Sequence, residues 1–415
     1  IDAVRSLAKD VERPDLVGTY LAVTGTLDDA SVVGWIDEES EALQRAAAFY
    51  ARNRLDIDGF AWLKKILSTG DMSSVGKQRL LAIAPMAKEY WTQVDSLGDD
   101  AVAAYWAFAS CLSVPDEEQA EAVALLVEHG HPWRALELLS HMLSRQSQCE
   151  STLVKQVLYS LLIAGLDPAA QHDGYGVARA LKWLESTVPD DPDLPGLEFH
   201  FFDCTPDHKP SDALYRSLGN SPKDFVHFVK IIYRAEDRTE PTRERDEDER
   251  AYATRVWRVW KVLWYWSRIP GLQDDGSIDA DHLAGWVTEC RRLLAECGRA
   301  KFGDEEVGNV LSRCPEGRDG IWPAEEIRDL LESLKNPEIE SGLSRGRYNQ
   351  RGGSVRGAYD GGVQERTLAQ QYETDAKALE LTWPRTAAIL RNMARSYESD
   401  AHHIDREDER DADEG

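Results

Sequence analysis

Arginine, tyrosine and glycine are concentrated in one segment, residues 342–362, which reads GLSRGRYNQRGGSVRGAYDGG. Its four arginines and two tyrosines are Arg345, Arg347, Arg351, Arg356, Tyr348 and Tyr359. A planar guanidinium can hold a carboxylate or a phosphate through two hydrogen bonds, and glycine lets a backbone approach a ligand closely. The composition therefore indicates a loop over residues 341–362 that is suited to binding an anion or a nucleic acid.

The same arginines could instead pair with carboxylates of their own chain. The sequence has 74 acidic and 48 basic residues and a formal net charge of −26, so carboxylates are abundant. We therefore predict that Arg351 and Arg356 are mainly structural. Glu365 and Arg366 are expected to anchor the loop. The remaining candidate contacts, which would bind either a partner or the loop itself, are Trp383 and Arg385.

The chain has 13 tryptophans, a high number for 415 residues, and three of them recur along one predicted helix, 248–267. Trp257, Trp260 and Trp264 are spaced i, i+3 and i+7, which places them on one helix face. The favoured interpretation is a core helix between two subdomains, because aromatic side chains bury large apolar areas. The alternative is a surface that contacts a partner or stacks on bases.

Several motifs that would indicate catalysis or cofactor binding are missing. The sequence contains no GxxxxGK[ST] loop for nucleotide phosphates, no HExxH zinc motif and no GxGxxG turn. The ten histidines are scattered, and the six cysteines form no CxxC pair. We therefore expect no enzyme activity, no cofactor and no metal, and we expect reduced thiols as in a cytoplasmic protein.

The acidic composition restricts the class of partner. Nucleic acids and anionic membranes bind mainly through Lys and Arg, so a net charge of −26 disfavours both. No apolar run approaches the roughly 20 residues of a membrane span, and no signal peptide is recognisable. The chain begins at Ile1 without a methionine, which is compatible with a piece cut from a longer protein.

Helical periodicity dominates the chain, and no convincing strand is found. Between residues 119 and 164, apolar stripes with helical spacing are separated by short turns that contain Gly130 and Pro132. Helices of this length joined by short turns pack antiparallel. We predict an all-α fold, namely an α-solenoid of antiparallel helix pairs of a degenerate tetratricopeptide or HEAT type, ending in a helical hairpin.

Composition divides this array into segments. We expect an N-terminal helical-repeat subdomain at 1–187 and a loop-rich, charged connecting region with short helices at 188–250. A C-terminal helical subdomain is expected at 251–403, and it carries the Gly/Arg-rich loop 341–362. Residues 404–415 form an acidic tail, which is expected to be disordered or a solvated extension of the last helix.

Two stretches resemble the C-terminal region of large bacterial anti-phage defence proteins of the STAND type, NQRGGSVRGAYDGGVQERTLAQQY at 349–372 and WPRTAAILRNMARSYESDA at 383–401. The stretch DFVHFVKIIYR at 224–234 and the loop-rich residues 193–220 are consistent with the same region. Proteins of that type carry an effector and an NTPase ahead of a helical-repeat sensor. The resemblance implies that this chain corresponds to the helical sensor segment only, and it assigns no functional residue.

Together these patterns predict a non-enzymatic protein-recognition or scaffold module. It would be the sensor or interaction part of a larger bacterial defence-type protein in the cytoplasm, with a role in antiviral defence. A protein partner is expected and a membrane is not. The alternative function is nucleic-acid binding through the Gly/Arg-rich loop, and the oligomeric state is left open.

Overall fold

The protein is described by a computed structural model that covers residues 1–69, 72–111, 114–146, 148–165, 174–204, 212–236, 249–351 and 361–414. These residues form 21 α-helices joined by turns and short 3-10 segments. Within the same ranges there is no β-strand, and extended pairing is limited to two isolated bridges. No helix among them combines the length and the apolarity that crossing a membrane requires. The predicted all-α fold is therefore confirmed.

The chain divides into two units, Ile1–Pro189 with Cys204–Pro206 and Asp190–Asp203 with Asp207–Gly415. The helices of the first unit are α1 (Asp2–Asp10), α2 (Pro14–Thr24), α3 (Asp29–Val33), α4 (Glu41–Ser68), α5 (Ser74–Ile83), α6 (Lys88–Trp91), α7 (Asp99–Phe108), α8 (Gln119–Glu128), α9 (Pro132–Ser144), α10 (Ser151–Ala164) and α11 (Gly174–Thr187). The helices of the second unit are α12 (Leu194–His200), α13 (Asp212–Asn220), α14 (Pro222–Ile232), α15 (Glu249–Trp264), α16 (Ala280–Glu296), α17 (Ala300–Leu311), α18 (Glu325–Leu334), α19 (Pro337–Gln350), α20 (Val363–Leu379) and α21 (Pro384–Glu414).

In the first unit, α8, α9 and α10 follow the apolar stripes of the sequence. Gly130 adopts a left-handed φ of 80° just after α8, and Pro132 occupies the first turn of α9, as predicted. The buried side chains of these three helices include Val123, Leu126, Leu136, Leu139, Val154, Leu158 and Leu161. The periodicity that predicted the helices is therefore also the periodicity of burial.

The core of the second unit includes residues that the sequence analysis assigned to a connecting region at 188–250. Apolar side chains of α13 and α14, and one that follows α12, are buried together with those of α15 and α16. They include Phe202, Leu214, Tyr215, Leu218, Phe225 and Val229. The short helices expected in this region are present, since α12, α13 and α14 are 7, 9 and 11 residues long. Stripes of this length among Pro- and Asp-rich residues did not indicate that they belong to a core.

Residues 341–350 belong to α19 rather than to a loop, so the predicted loop was wrong over that range. Gly342 is buried against α17, where an added Cβ atom would overlap the backbone oxygen of Glu305. On the facing helix, a Cβ atom on Gly308 would overlap the backbone oxygen of Ile339. These glycines therefore permit close contact between two helices and do not mark a turn.

Helices α20 and α21 form the C-terminal helical pair that the sequence predicted, joined by the short turn 380–383. Helix α21 continues through the acidic residues to Glu414. Ile404 is buried, and Asp405 pairs with Arg366 of α20. The first residues of the predicted acidic tail are therefore part of the packed helix, and the rest extends it.

Candidate functional site

The predicted site residues lie in the second unit, on and around α19, α20 and α21. On α19, the guanidinium of Arg345 donates to the carboxylate of Glu305 on α17 at 2.6 Å. The guanidinium of Arg347 lies 4.9 Å from the ring centroid of Trp322, in a cation–π contact. Both arginines thus connect α19 to neighbouring parts of the same unit.

Tyr348 and Arg351 connect the end of α19 to the helical pair. The hydroxyl of Tyr348 donates to Asp400 at 3.0 Å, and its ring stacks on Tyr397 with centroids 5.4 Å apart. Arg351 donates to the carboxylate of Glu365 at 2.8 Å, and its guanidinium lies 5.5 Å from the Tyr397 ring. The Glu365 side chain is only 1% exposed, so this ion pair has one partner inside the protein.

The other predicted contacts fix the starts of α20 and α21. Arg366 pairs with Asp405, which also accepts a hydrogen bond from the backbone N–H of Gly362 at 2.9 Å. The indole N–H of Trp383 donates to Asp329 of α18 at 2.6 Å. Each contact holds one helix of the pair against its neighbour.

Arg385, in the first turn of α21, binds two other helices. Its backbone N–H donates to Glu332 of α18 at 2.7 Å, and its guanidinium pairs with Glu340 of α19 at 2.6 Å. Arg356 and Tyr359 lie outside the described residues. Each described member of the predicted set therefore makes an ion pair, hydrogen bond or ring contact within the second unit, and we call this set of contacts the arginine network. Arg351 has the carboxylate partner that the structural interpretation expects.

The sequence GLSRG at 342–346 matches the GxSxG pattern of a serine nucleophile. That pattern is functional when the serine occupies a sharp turn between a strand and a helix. Here it lies inside α19, and the Ser344 hydroxyl donates to the backbone oxygen of Glu340 at 3.0 Å. The match therefore gives no support to a hydrolase.

A second candidate site is the row of indoles on α15 formed by Trp257, Trp260 and Trp264, which we call the tryptophan stripe. The ring centroids of successive members are 5.2 Å apart, and their planes differ by 11° and 20°. The three residues are 52%, 40% and 38% exposed. The stripe is therefore a row of stacked rings that stays partly exposed to solvent.

The predicted core role of these three tryptophans was wrong. The face of α15 that packs into the second unit carries Val259, Val262 and Leu263, and Trp266 just beyond the helix is also buried. Helix α15 thus has a second apolar face in addition to the one that fills the core. The sequence carries a signal for this second face, because the helix is apolar on two sides and each side needs a surface to cover it. The exposure fits the alternative interpretation, a surface that contacts a partner or stacks on bases.

Basic side chains border the stripe on α15. The ammonium of Lys261 lies 5.0 Å from the ring centroid of Trp257. Lys261 and Arg258 share the carboxylate of Asp203, at 3.7 Å and 3.0 Å respectively. Two cations therefore face one carboxylate beside the exposed rings.

A further cation lies at the C-terminal end of the stripe. The guanidinium of Arg313 donates to the backbone oxygen of Trp264, where the helix dipole favours a positive charge. Burial lowers the pKa of Arg313 below its usual range. Among the described residues, no carboxylate forms an ion pair with this guanidinium.

The first unit has an open groove of about 1150 Å³ beside α5 and α7. Its lining includes Asp99 and Asp100, and also Trp106 and His129, whose rings stack with centroids 4.3 Å apart. No serine among the described lining residues is hydrogen-bonded to a histidine. The groove therefore presents a surface for contact and no recognisable catalytic arrangement.

Cysteine and metal chemistry find no support in the described part of the chain. Burial raises the pKa of the Cys111, Cys149 and Cys290 thiols, and it raises that of Cys314 to about 12. Such thiols are not activated nucleophiles. Nor do the described residues contain a group of three His, Cys, Asp or Glu side chains that could hold a metal ion.

No protein-family model, curated protein or solved structure matches this chain. The features that indicate a function are therefore the two clusters of the second unit. The arginine network is largely satisfied by carboxylates and rings of its own unit. The tryptophan stripe, by contrast, is 38–52% exposed, and in the part of the chain that the structure describes its rings contact mainly each other and Lys261.

Proposed function

We propose that the chain is a non-enzymatic protein-recognition module that binds a partner segment through the tryptophan stripe. The observation that carries this proposal is the exposure of three stacked indoles on a helix whose other apolar face is already buried. Burial of apolar surface is favourable by roughly 25 cal/mol per Å². Tryptophan is also among the residues that contribute most to protein interfaces, and exposed apolar patches commonly mark them.

In this proposal the chain is the sensor or interaction part of a larger bacterial defence-type protein in the cytoplasm. The support is the sequence resemblance given above, together with a chain built of helices. An α-solenoid arrangement of tetratricopeptide or HEAT type stays a prediction that accompanies the proposal.

The alternative, nucleic-acid binding through the Gly/Arg-rich segment, has less support. Arg345 and Arg351 each pair with a carboxylate, at 2.6 Å and 2.8 Å. A phosphate would have to displace those carboxylates, and the net charge of −26 opposes the approach of a polyanion. Protein recognition is therefore the function that we test first.

Selection from a phage-displayed library of random peptides tests the proposal. The wild-type chain serves as bait, and a variant with Trp257→Ala, Trp260→Ala and Trp264→Ala removes peptides that bind elsewhere. Truncation of a central interface tryptophan commonly costs about 2 kcal/mol, and about 1.4 kcal/mol corresponds to a tenfold change in Kd. We expect the selected peptides to bind the wild type at least about 100-fold more tightly than the triple variant.

The matched control is Leu381→Ala, because Leu381 is an almost fully exposed apolar residue of the same unit. It should leave peptide affinity unchanged, and circular dichroism should show that all variants keep their helical content. The proposal fails if repeated selection yields no stripe-dependent peptide. It also fails if the selected peptides bind the triple variant as tightly as the wild type.

A further inference from the structure

The charge of α15 is opposite to that of the chain as a whole. Residues 249–268 contain five basic residues and one acidic residue, Glu249, whereas the full sequence has a net charge of −26. The basic residues are Arg250, Arg255, Arg258, Lys261 and Arg268. Arg268 pairs with Asp274 at 2.8 Å, so the cations that bear on the stripe are the ones closer to its rings. The exposed tryptophans therefore lie in the middle of a basic segment within an acidic protein, and this contrast restricts the chemistry of what covers them.

The contacts around the stripe leave positive charge in excess. Asp203 is shared by Arg258 and Lys261, so one carboxylate offsets two cations there. Arg313 adds a third cation, and within the described residues its partner is the backbone oxygen of Trp264. Because Lys261 and Arg313 are only partly exposed, solvent screens their charge less than it screens the charge of a fully exposed side chain.

We propose that the occupant of the tryptophan stripe is an acidic amphipathic segment of a partner protein. Its apolar side chains would cover the edges of the indoles, and its carboxylates would lie beside Lys261 and Arg313. This inference rests on the proposed function and adds the charge and the pattern of the partner to it. Charge complementarity would fix the register of the segment, while the apolar contact would supply most of the affinity.

The geometry favours a protein segment over a single-stranded nucleic acid, the other anion that binds aromatic rows. Nucleic-acid bases stack on the faces of aromatic rings. In the stripe the ring faces are turned toward each other, with centroids 5.2 Å apart, and Lys261 lies over Trp257. A base inserted between two of these rings would have to separate them, whereas aliphatic side chains can pack on the surface that the row already exposes.

Peptides recovered by the stripe-dependent selection provide the test. We expect them to be enriched in Asp and Glu relative to the starting library. The tightest peptide is then made with a fluorescent label, next to a counterpart in which every Asp and Glu is replaced by Asn and Gln. Fluorescence anisotropy gives the Kd of both for the full chain at about 0.1 M and about 1 M NaCl, where the Debye length is about 10 Å and about 3 Å.

At the lower salt concentration, the acidic peptide should bind at least about tenfold more tightly than its amide counterpart. At the higher salt concentration, the difference in Kd between the two peptides should fall below about threefold. The double variant Lys261→Gln, Arg313→Gln should weaken only the acidic peptide. Lys377→Gln with Arg395→Gln makes the same change in net charge on the exposed surface of α20 and α21, and it should have no effect. If the double variant Lys261→Gln, Arg313→Gln does not fold, the difference in Kd between the acidic peptide and its amide counterpart, and its salt dependence, still test the inference on the wild-type chain.

Three outcomes overturn the inference. The acidic partner is refuted if the stripe-dependent peptides are neutral or basic, or if the amide counterpart binds as tightly as the acidic peptide. Either result leaves the proposed function intact. A labelled oligothymidine that binds more tightly than the acidic peptide, and needs the three tryptophans, assigns the surface to nucleic acid. Recovery of no stripe-dependent peptide at all refutes the proposed function and this inference with it.

Discussion

Breaking the ion pair between Arg351 and Glu365 by removing the arginine should destabilise the C-terminal part of the second unit. Glu365 is 1% exposed and Arg351 is 24% exposed, with 2.8 Å between guanidinium and carboxylate. Arg351→Ala would leave the buried carboxylate without this guanidinium and would also remove the cation over the ring of Tyr397. The perturbation therefore acts on a charge that solvent cannot reach.

The expected size follows from the exposure of the two partners. Removing one partner of a buried pair costs about 3–5 kcal/mol, whereas exposed pairs contribute about 0–1 kcal/mol. Because Arg351 is partly exposed, we expect Arg351→Ala to lower the free energy of unfolding by about 3 kcal/mol. For a unit of roughly 200 residues this corresponds to a fall in Tm of about 6–12 °C.

Thermal unfolding followed by far-UV circular dichroism measures this change. The control is Arg395→Ala, because the guanidinium of Arg395 bonds only within α21. It should shift the free energy of unfolding by less than about 0.5 kcal/mol. In a Glu365→Gln background, Arg351→Ala should cost at least about 1 kcal/mol less, since no buried charge is left behind. The reasoning is refuted if Arg351→Ala melts like the control, or if Glu365→Gln leaves its cost unchanged.

Three further predictions test the fold and the absence of catalysis. Gly342→Ala should lower the free energy of unfolding, measured by urea denaturation, by about 1–3 kcal/mol because the added methyl group overlaps the α17 backbone. The control Gly285→Ala, at a helical position with open space around it, should be neutral or stabilising. The hydrogen bond from Arg328 lowers the pKa of Asp319 below its ordinary value of 3.8, so the stability that the Asp319 carboxylate contributes is present above that pH and is lost as the pH falls through the lower folded pKa. The difference in Tm between the wild type and Asp319→Asn should therefore be constant at neutral pH and shrink in acid. A difference that grows in acid would contradict this. The purified chain should show no ATP hydrolysis, and turnover that is abolished by a single substitution in the chain would contradict the non-enzymatic proposal.

Helical periodicity was sufficient to predict the helices whose apolar stripes are long and bounded by clear turns. Between α8 and α10, Gly130 and Pro132 mark the boundary, and the predicted stripes are the buried ones. The region 188–250 was expected to contain short helices, and α12 to α14 are short helices within it. Because they are short and lie among Pro- and Asp-rich residues, the sequence did not indicate that their apolar side chains share a core with those of α15 and α16.

The two clusters show a different limit, which concerns partners that are distant in sequence. Gly342 reads equally well as a loop glycine or as a close helix contact, and only the position of Glu305 on α17 decides between them. The acidic background did indicate that arginines such as Arg351 would find carboxylates, but it could not say that Glu365 is the partner. For Trp260 and its neighbours, the spacing identified one shared face correctly. Whether anything covers that face depends on the packing of the whole unit.

The most direct test of the central claim is to locate a bound partner on the surface of the chain. We would replace Trp260 by a photoreactive benzoylphenylalanine, which keeps an aromatic ring in the stripe, and irradiate this variant with a stripe-selected peptide. A second chain with the same photoreactive group at the exposed position of Leu381 measures random labelling. The account predicts strong crosslinking at position 260 that excess unlabelled peptide abolishes, and background crosslinking at position 381. Equal crosslinking at the two positions, or none at position 260 under conditions where the peptide is bound, would contradict recognition through the tryptophan stripe.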